Sequence, residues 1–391
     1  MIHWFLHIVS ISILAYLGFR FIKAELPTWV YWLALALKLC AGIVLGLIFF
    51  EYYGSGDTIA FFESALSFQS DNLDGQPRTQ FFIHFIRPIV WVSGGSYWIT
   101  SLYLSLISFI GTWYSVTILS RLYPEVKAVI VFCFLFIPSV VFWSSGLIKD
   151  SLAFAAVAIA VAMIIKLYRS SRSTPLEIIL LLASSVILLK IKHYLFITFL
   201  LFAGILISIQ IFRKLGKKWS ILLSLAILSS VLIATQFVHP YLEIDRIPWT
   251  LYENNQAILK KSDPEDRIDL EMKGDQWKDI FTNLPKALQA GLLRPSVLDK
   301  TPIWGWIHRI ENLALTTLMI MSLILIIKQK PVLDWPLILA AGFCIFLLAI
   351  MLPLSTPNFG TLVRYKNAYM PYLLMISSIL PYHYFTSQTE E

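Results

Sequence analysis

The chain has 391 residues, 58% of them hydrophobic and 14% charged, with a mean hydropathy of +0.72, which excludes a soluble globular enzyme and points to a polytopic membrane protein. The formal charge of +7 comes without clustered Lys and Arg on a folded soluble stretch, so it reads as basic membrane loops and not as a nucleic-acid footprint. Cys40, Cys133 and Cys344 all fall in apolar runs, which leaves neither a disulfide framework nor a metal spacing.

The start, Met1-Ile2-His3-Trp4, lacks a basic n-region, and no small-residue cleavage site follows, so a cleaved signal peptide is not expected. Apolar runs long enough to cross roughly 30 Å of hydrocarbon at about 1.5 Å per residue predict an all-α fold of about eleven spans. They lie near 3–21, 29–50, 97–119, 126–143, 150–167, 176–190, 194–212, 219–237, 304–327, 335–353 and 367–384, in one transmembrane domain over residues 1–391.

Lys and Arg mark every second connection: Arg20 and Lys23, Arg121 and Lys127, Lys166 to Arg172, Arg213 to Lys218, Lys328 and Lys330. Basic loops stay on the cytoplasmic side, which predicts a bacterial inner-membrane protein with its amino terminus outside and its carboxyl terminus inside. The opposite connections then face the periplasm. The first of them, 51–96, contains Pro77 to Trp91, where apolar and aromatic positions surround Arg78, His84 and Arg87; it reads as an amphipathic helix in the interface. Residues 238–303 alone have soluble composition and predict a small helical insertion on the outer face. No internal repeat is evident, which argues against an inverted-repeat transporter.

Candidate chemistry gathers in the outer connections. Tyr52-Tyr53-Gly54-Ser55-Gly56-Asp57-Thr58 follows the second span, and its glycines turn the chain so that Asp57 stays near the headgroup plane. A carboxylate there can deprotonate an acceptor hydroxyl or bind a metal that bridges phosphates; it can equally cap the next helix. Phe142 to Ser151 forms a tight turn between two apolar runs, with Lys149 and Asp150 at its tip. Those two residues read either as a self-neutralising pair in a solvated turn or as part of a polar site at one membrane face. Lys149, Lys190, Lys192, Arg364 and Lys366 crowd the side that is usually poor in Lys and Arg, which asks for an anionic partner such as lipid-carried phosphate. For Lys190 and Lys192, snorkelling to ordinary headgroups is the preferred reading. Arg294-Pro295 and the stretch Ser355 to Lys366 hold irregular backbone at membrane depth, and Arg364 is favoured as a phosphate ligand. No nucleotide-cradling loop, zinc spacing or nucleophile elbow is present.

An acidic residue in the first long outer loop, an amphipathic segment after it and polar tips gathered on one face together resemble the GT-C superfamily of polytopic glycosyltransferases. Phe142 to Ser151 and Asn358 to Lys366 are also similar to bacterial envelope-polysaccharide membrane proteins of that type. The resemblance implies transfer of a sugar from a polyprenyl-phosphate or polyprenyl-pyrophosphate carrier to a glycan or lipid acceptor at the periplasmic face. It implies Asp57 as the general base and Arg364 as the phosphate ligand, helped by Lys149, Arg294 or Lys366, with Asp150, Glu63 and Tyr365 in support. No paired acidic motif adjoins Asp57, with Glu63 the nearest substitute, so a divalent metal stays an open matter. Two alternatives stand beside this reading: a polymerase joining lipid-linked oligosaccharide repeats, as O-antigen polymerases do, and a non-enzymatic transporter or assembly subunit. Transport would need polar groups at mid-membrane depth, and most spans lack them.

Overall fold

The computed structural model describes residues 2–67, 77–169, 172–214, 217–238, 243–270, 272–299, 305–329, 331 and 333–389. Residues 68–76 of the first long loop, parts of the 238–303 insertion and Trp304 lie outside the described residues. Among the described residues the chain is helical, apart from an isolated bridge between Arg267 and Asn358. The first helices are α1 (Ile2–Phe21), α2 (Thr28–Leu47), α3 (Asp57–Leu66), α4 (Pro77–Val92), α5 (Tyr97–Leu122), α6 (Lys127–Leu135), α7 (Pro138–Trp143), α8 (Lys149–Arg169) and α9 (Pro175–Ile191). They are followed by α10 (His193–Lys214), α11 (Lys217–Val238), α12 (Ile247–Lys261), α13 (Trp277–Leu293), α14 (Gly305–Gln329), α15 (Trp335–Ser355), α16 (Phe359–Lys366) and α17 (Met370–Thr389).

Seven of these are long and apolar enough to cross a membrane: α1, α2 with its continuation to Tyr53, α5, α8, α10, α14 and α15. The protein is therefore a helical, membrane-embedded chain. The expected spans near 126–143, 176–190, 219–237 and 367–384 are not among the seven. The first of these breaks at Pro138, which has no N–H to donate and forces Ile137 to φ −69° and ψ 121°, outside the helical region. What the sequence presents as one run is two short helices.

Contacts group the chain into two compact units, residues 1–196 and 197–391. In the amino-terminal unit α5 is central and packs on α1, α2, α6 and α8. Small residues set the α5–α8 approach: a Cβ on Gly111 would come within 2.8 Å of the Ala155 methyl. In a membrane, where burial alone drives helix association weakly, such close backbone packing replaces the hydrophobic term. Tyr31 meets Phe109 and Trp113 edge-to-face, those two rings stack on each other, the three centroids lie 4.9–6.1 Å apart, and the Tyr31 hydroxyl donates to Ala15 O at 2.6 Å.

The predicted amphipathic helix exists as α4, but its apolar face is spent on protein. Phe82, Ile83, Ile86 and Val90 are buried against a cluster that includes Phe61, Phe62, Leu104 and Ile191. In the carboxy-terminal unit α15 is the axis, with α12, α13, α16 and α17 packed on it and α14 on α17 and α13.

Candidate functional site

The turn after α7 does not reach a solvated surface. Ser144, Ser145, Leu147 and Ile148 are fully buried in the amino-terminal unit, so of the two readings of this turn the solvated, self-neutralising one does not fit. Ser108 Oγ donates to Ser144 O at 2.7 Å, and Gly146 N–H donates to Ser105 Oγ at 2.8 Å. Gly146 sits at φ +76°, a left-handed conformation that favours glycine, and packs on Gly42 of α2. Short serine side chains and two glycines let the loop insert among α2, α5 and α8 while its backbone polar groups stay bonded.

From this buried loop, the first turn of α8 sends its two charges to different sides. Lys149 Nζ donates to Thr79 Oγ1 at 2.7 Å and lies 4.6 Å from the Phe61 ring centroid, so it faces α4 and α3. Asp150 instead forms a buried ion pair with Lys192 Nζ at 2.8 Å, both side chains below a tenth exposed. Lys192 therefore does not snorkel to lipid, whereas Lys190 is exposed.

Asp57 occupies the first turn of α3 and is exposed, after Gly56 as the N-cap. A carboxylate in that turn is favoured by the helix dipole. The next residue, Thr58, is buried; its Oγ1 donates to Leu147 O at 2.7 Å and lies 2.8 Å from the Tyr97 hydroxyl. The start of α3 is thereby bolted to the loop that carries Lys149. Phe61, one turn beyond Asp57, is the ring under the Lys149 ammonium, so acid and cation are carried by elements that touch. Glu63 is exposed, but six residues beyond Asp57 means about 240° around the helix, a different face.

The carboxy-terminal unit holds the other candidates. Asn358 caps α16, its Oδ1 accepting from Thr361 N–H at 2.9 Å, while its Nδ2 donates to Ser262 Oγ and to Asp266. Burial pushes the Asp266 carboxyl above its ordinary value, opposed by the bonds from Asn358 and from the Gly360 N–H. Arg294 Nε and Nη2 fork onto Asp299, and the guanidinium stacks 5.0 Å over the Phe359 ring. Asp299 also accepts from Ser296 N–H at 2.6 Å and is held below the usual carboxylate range by the hydrogen bonds from Arg294 and Ser296, against the opposing pull of burial.

Lys366 is buried, and its Nζ donates to Arg294 O at 2.9 Å, Asn312 Oδ1 at 3.1 Å and Leu292 O at 3.5 Å. Tyr369 Oη donates to Gly291 O at 2.7 Å. Three carbonyls at the end of α13 and just beyond it, those of Gly291, Leu292 and Arg294, are thus met by side chains from α16 and the turn after it. Phe359 and Lys366, seven residues apart on one face of α16, both touch Arg294, one at its side chain and one at its carbonyl. Arg364 and Tyr365 lie on this helix half-buried.

Sequence reasoning missed Lys38, buried in α2 with its Nζ hydrogen-bonded to Ser144 Oγ and 5.2 Å from the Phe154 ring centroid. The signal was available, since Lys38 is the charged residue inside the 29–50 run. Thr58 and Asn312 gave no such signal. Among the described residues no group of three or more His, Cys, Asp or Glu side chains is arranged to hold a metal ion, so no step is assigned to one. Comparison with family models, with curated proteins and with solved structures finds no match to this chain.

Proposed function

We propose that the chain is a membrane glycosyltransferase of GT-C kind, which moves a sugar from a polyprenyl-phosphate or polyprenyl-pyrophosphate carrier to an acceptor hydroxyl at the periplasmic face. The observation that carries the reading is the edge of the amino-terminal unit where the Thr58–Leu147 bond holds the exposed Asp57 beside the elements that seat Lys149. An acid and a cation fixed on adjoining elements suit proton removal from a hydroxyl next to an anionic carrier. Asp57 takes the acceptor proton as the new bond to the anomeric carbon forms and the bond to the phosphate oxygen breaks. Lys149 meets the charge that grows on the departing phosphate. Arg294 already shares its fork with Asp299, and Lys366 is occupied by carbonyls, so both are assigned to holding the α16 platform.

One observation favours a second reading as transporter or assembly subunit: Lys38 is a buried cation within a spanning helix. Complementation of an envelope-glycan defect in a strain deleted for this chain separates the two. Asp57→Asn and Lys149→Met are expected to reach the membrane at wild-type level and fail to restore the glycan, while Lys38→Met restores it. Full restoration by both of the first two variants overturns the enzyme reading, and loss with Lys38→Met alone favours the second.

A further inference from the structure

Helix α13 has soluble-looking composition, yet it lies against α15, a helix able to span the membrane. Its contact is unusually close: a Cβ on Gly291 would fall 1.9 Å from Ala349 O, so the two backbones touch there. Ala349 lies six residues before the end of α15 at Ser355, about 9 Å along its axis. The end of α13 is therefore level with the body of a spanning helix and not beyond its tip.

The lipid-facing stripe of α15 gives the same answer. Leu339, Phe343 and Phe346, at helical spacing, are 66%, 50% and 42% exposed, as side chains facing hydrocarbon are in the bare protein. Further along the same stripe Ile350 and Leu354 are buried, in the stretch where α12 and α13 pack. These helices take the place that lipid occupies lower on α15.

Beside the packed face of α13, about 40° and 80° around the helix from Gly291, are residues suited to that position. Trp277 and Phe281, one turn apart with ring centroids 6.2 Å from each other, are 42% and 63% exposed. Lys278, Thr282 and Lys286 form the adjoining exposed row. Lys286 Nζ is engaged by Asp269 at 2.9 Å, and Lys278 is the exposed lysine that adjoins Trp277 and Phe281. An aromatic ridge with a lysine beside it is the chemistry of a headgroup boundary, where rings sit among acyl carbons and an ammonium group among phosphates.

We infer that α13 is a helix of the bilayer interface, seated by Trp277 and Phe281 on lipid, and that its occupant is the headgroup region of an anionic membrane. This inference concerns lipid contact and stands apart from the proposed sugar transfer.

The test is spin labelling of the full-length protein in vesicles of phosphatidylethanolamine and phosphatidylglycerol, with Cys40, Cys133 and Cys344 replaced by Ala. Labels go at Trp277→Cys, Phe281→Cys and Thr282→Cys, the last removing no apolar anchor. Phe343→Cys serves as a lipid reference and Lys260→Cys, exposed on α12, as an aqueous one. Collisions with oxygen and with a water-soluble nickel chelate are then compared. Labels at 277 and 281 are expected to favour oxygen several-fold over the label at 260, at a depth of roughly 5–10 Å. The label at 282 should fall between the references. Chelate access at 277 and 281 equal to that at 260 overturns the inference. Exclusion of both reagents there also overturns it, because a protein partner would then cover the ridge.

Discussion

Replacing Lys366 by Met tests the platform under Arg294. Burial pushes the Lys366 ammonium down from 10.5 to about 7, with the carboxylate of Glu311 opposing the shift. Arg294, whose carbonyl accepts from Lys366, has its guanidinium engaged by Asp299, and Glu311 itself lies 3.6 Å from His308. The sign follows from proton binding. Between pH 7 and 10.5 the unfolded chain keeps the proton while the folded chain has lost it, so stability rises with pH across that window. At 1.36 kcal/mol per unit, the rise from pH 7 to pH 9 is about 2.7 kcal/mol, and below pH 7 this contribution is flat. Met cannot titrate, but it leaves the carbonyls of Leu292 and Arg294 and Asn312 Oδ1 without their amine donor, at about 1–3 kcal/mol for each buried acceptor that stays unmet. Unfolding is followed by the fluorescence of the 13 tryptophans from pH 6 to pH 9. Wild type is expected to gain on Lys366→Met as pH rises. Parallel pH dependences in the two proteins would show that Lys366 does not titrate in this window and refute the reasoning.

Gly291→Ala should force α13 off α15, since its new Cβ would overlap Ala349 backbone atoms; a loss of about 3 kcal/mol is expected in the same unfolding measurement, and an unchanged midpoint would mean the helices are less close. Asp150→Asn strands the buried Lys192 and should cost about 3–5 kcal/mol, whereas adding Lys192→Met should recover most of that loss. If the double variant is as unstable as the sum of the singles, the two charges are not coupled. Arg294→Lys gives up the second donor to Asp299 and the flat stack on Phe359, so it should behave as a loss of about 1.5–3 kcal/mol in spite of the kept charge.

Apolar runs of the right length marked the seven helices able to span because the hydrocarbon requirement acts on local composition. The same rule also counted 126–143, where Pro138 breaks the helix, because averaging hydropathy ignores which N–H groups are available. Asp57 and Lys149 stood out as charges beside apolar stretches. That Thr58 ties their elements together was illegible, since a threonine at a helix start more often does nothing beyond the local turn.

The pairing of charges was the least legible part of the candidate site. Lys149 and Asp150 are neighbours in sequence and pairing is one of their two readings, yet adjacent helical residues point about 100° apart, so Lys149 meets Thr79 and Asp150 meets Lys192. Lys192 and Lys366 read as lipid or substrate ligands because they lie near span ends. Burial then assigns one to a carboxylate and the other to helix-terminal carbonyls.

What the sequence by itself determined is the solvent of this protein and the helical form that solvent demands, because hydrophobicity and backbone hydrogen bonding within a segment are local properties. Tertiary structure alone decided the depth of each polar group. The loop at 144–148 is buried by serines and glycines of α2 and α5. Helix α13, polar enough to pass for a soluble insertion, is brought beside the body of α15 by one glycine against a backbone carbonyl. Depth depends on which surfaces meet, and residues 58 positions apart in sequence, such as Gly291 and Ala349, carry no local mark of it.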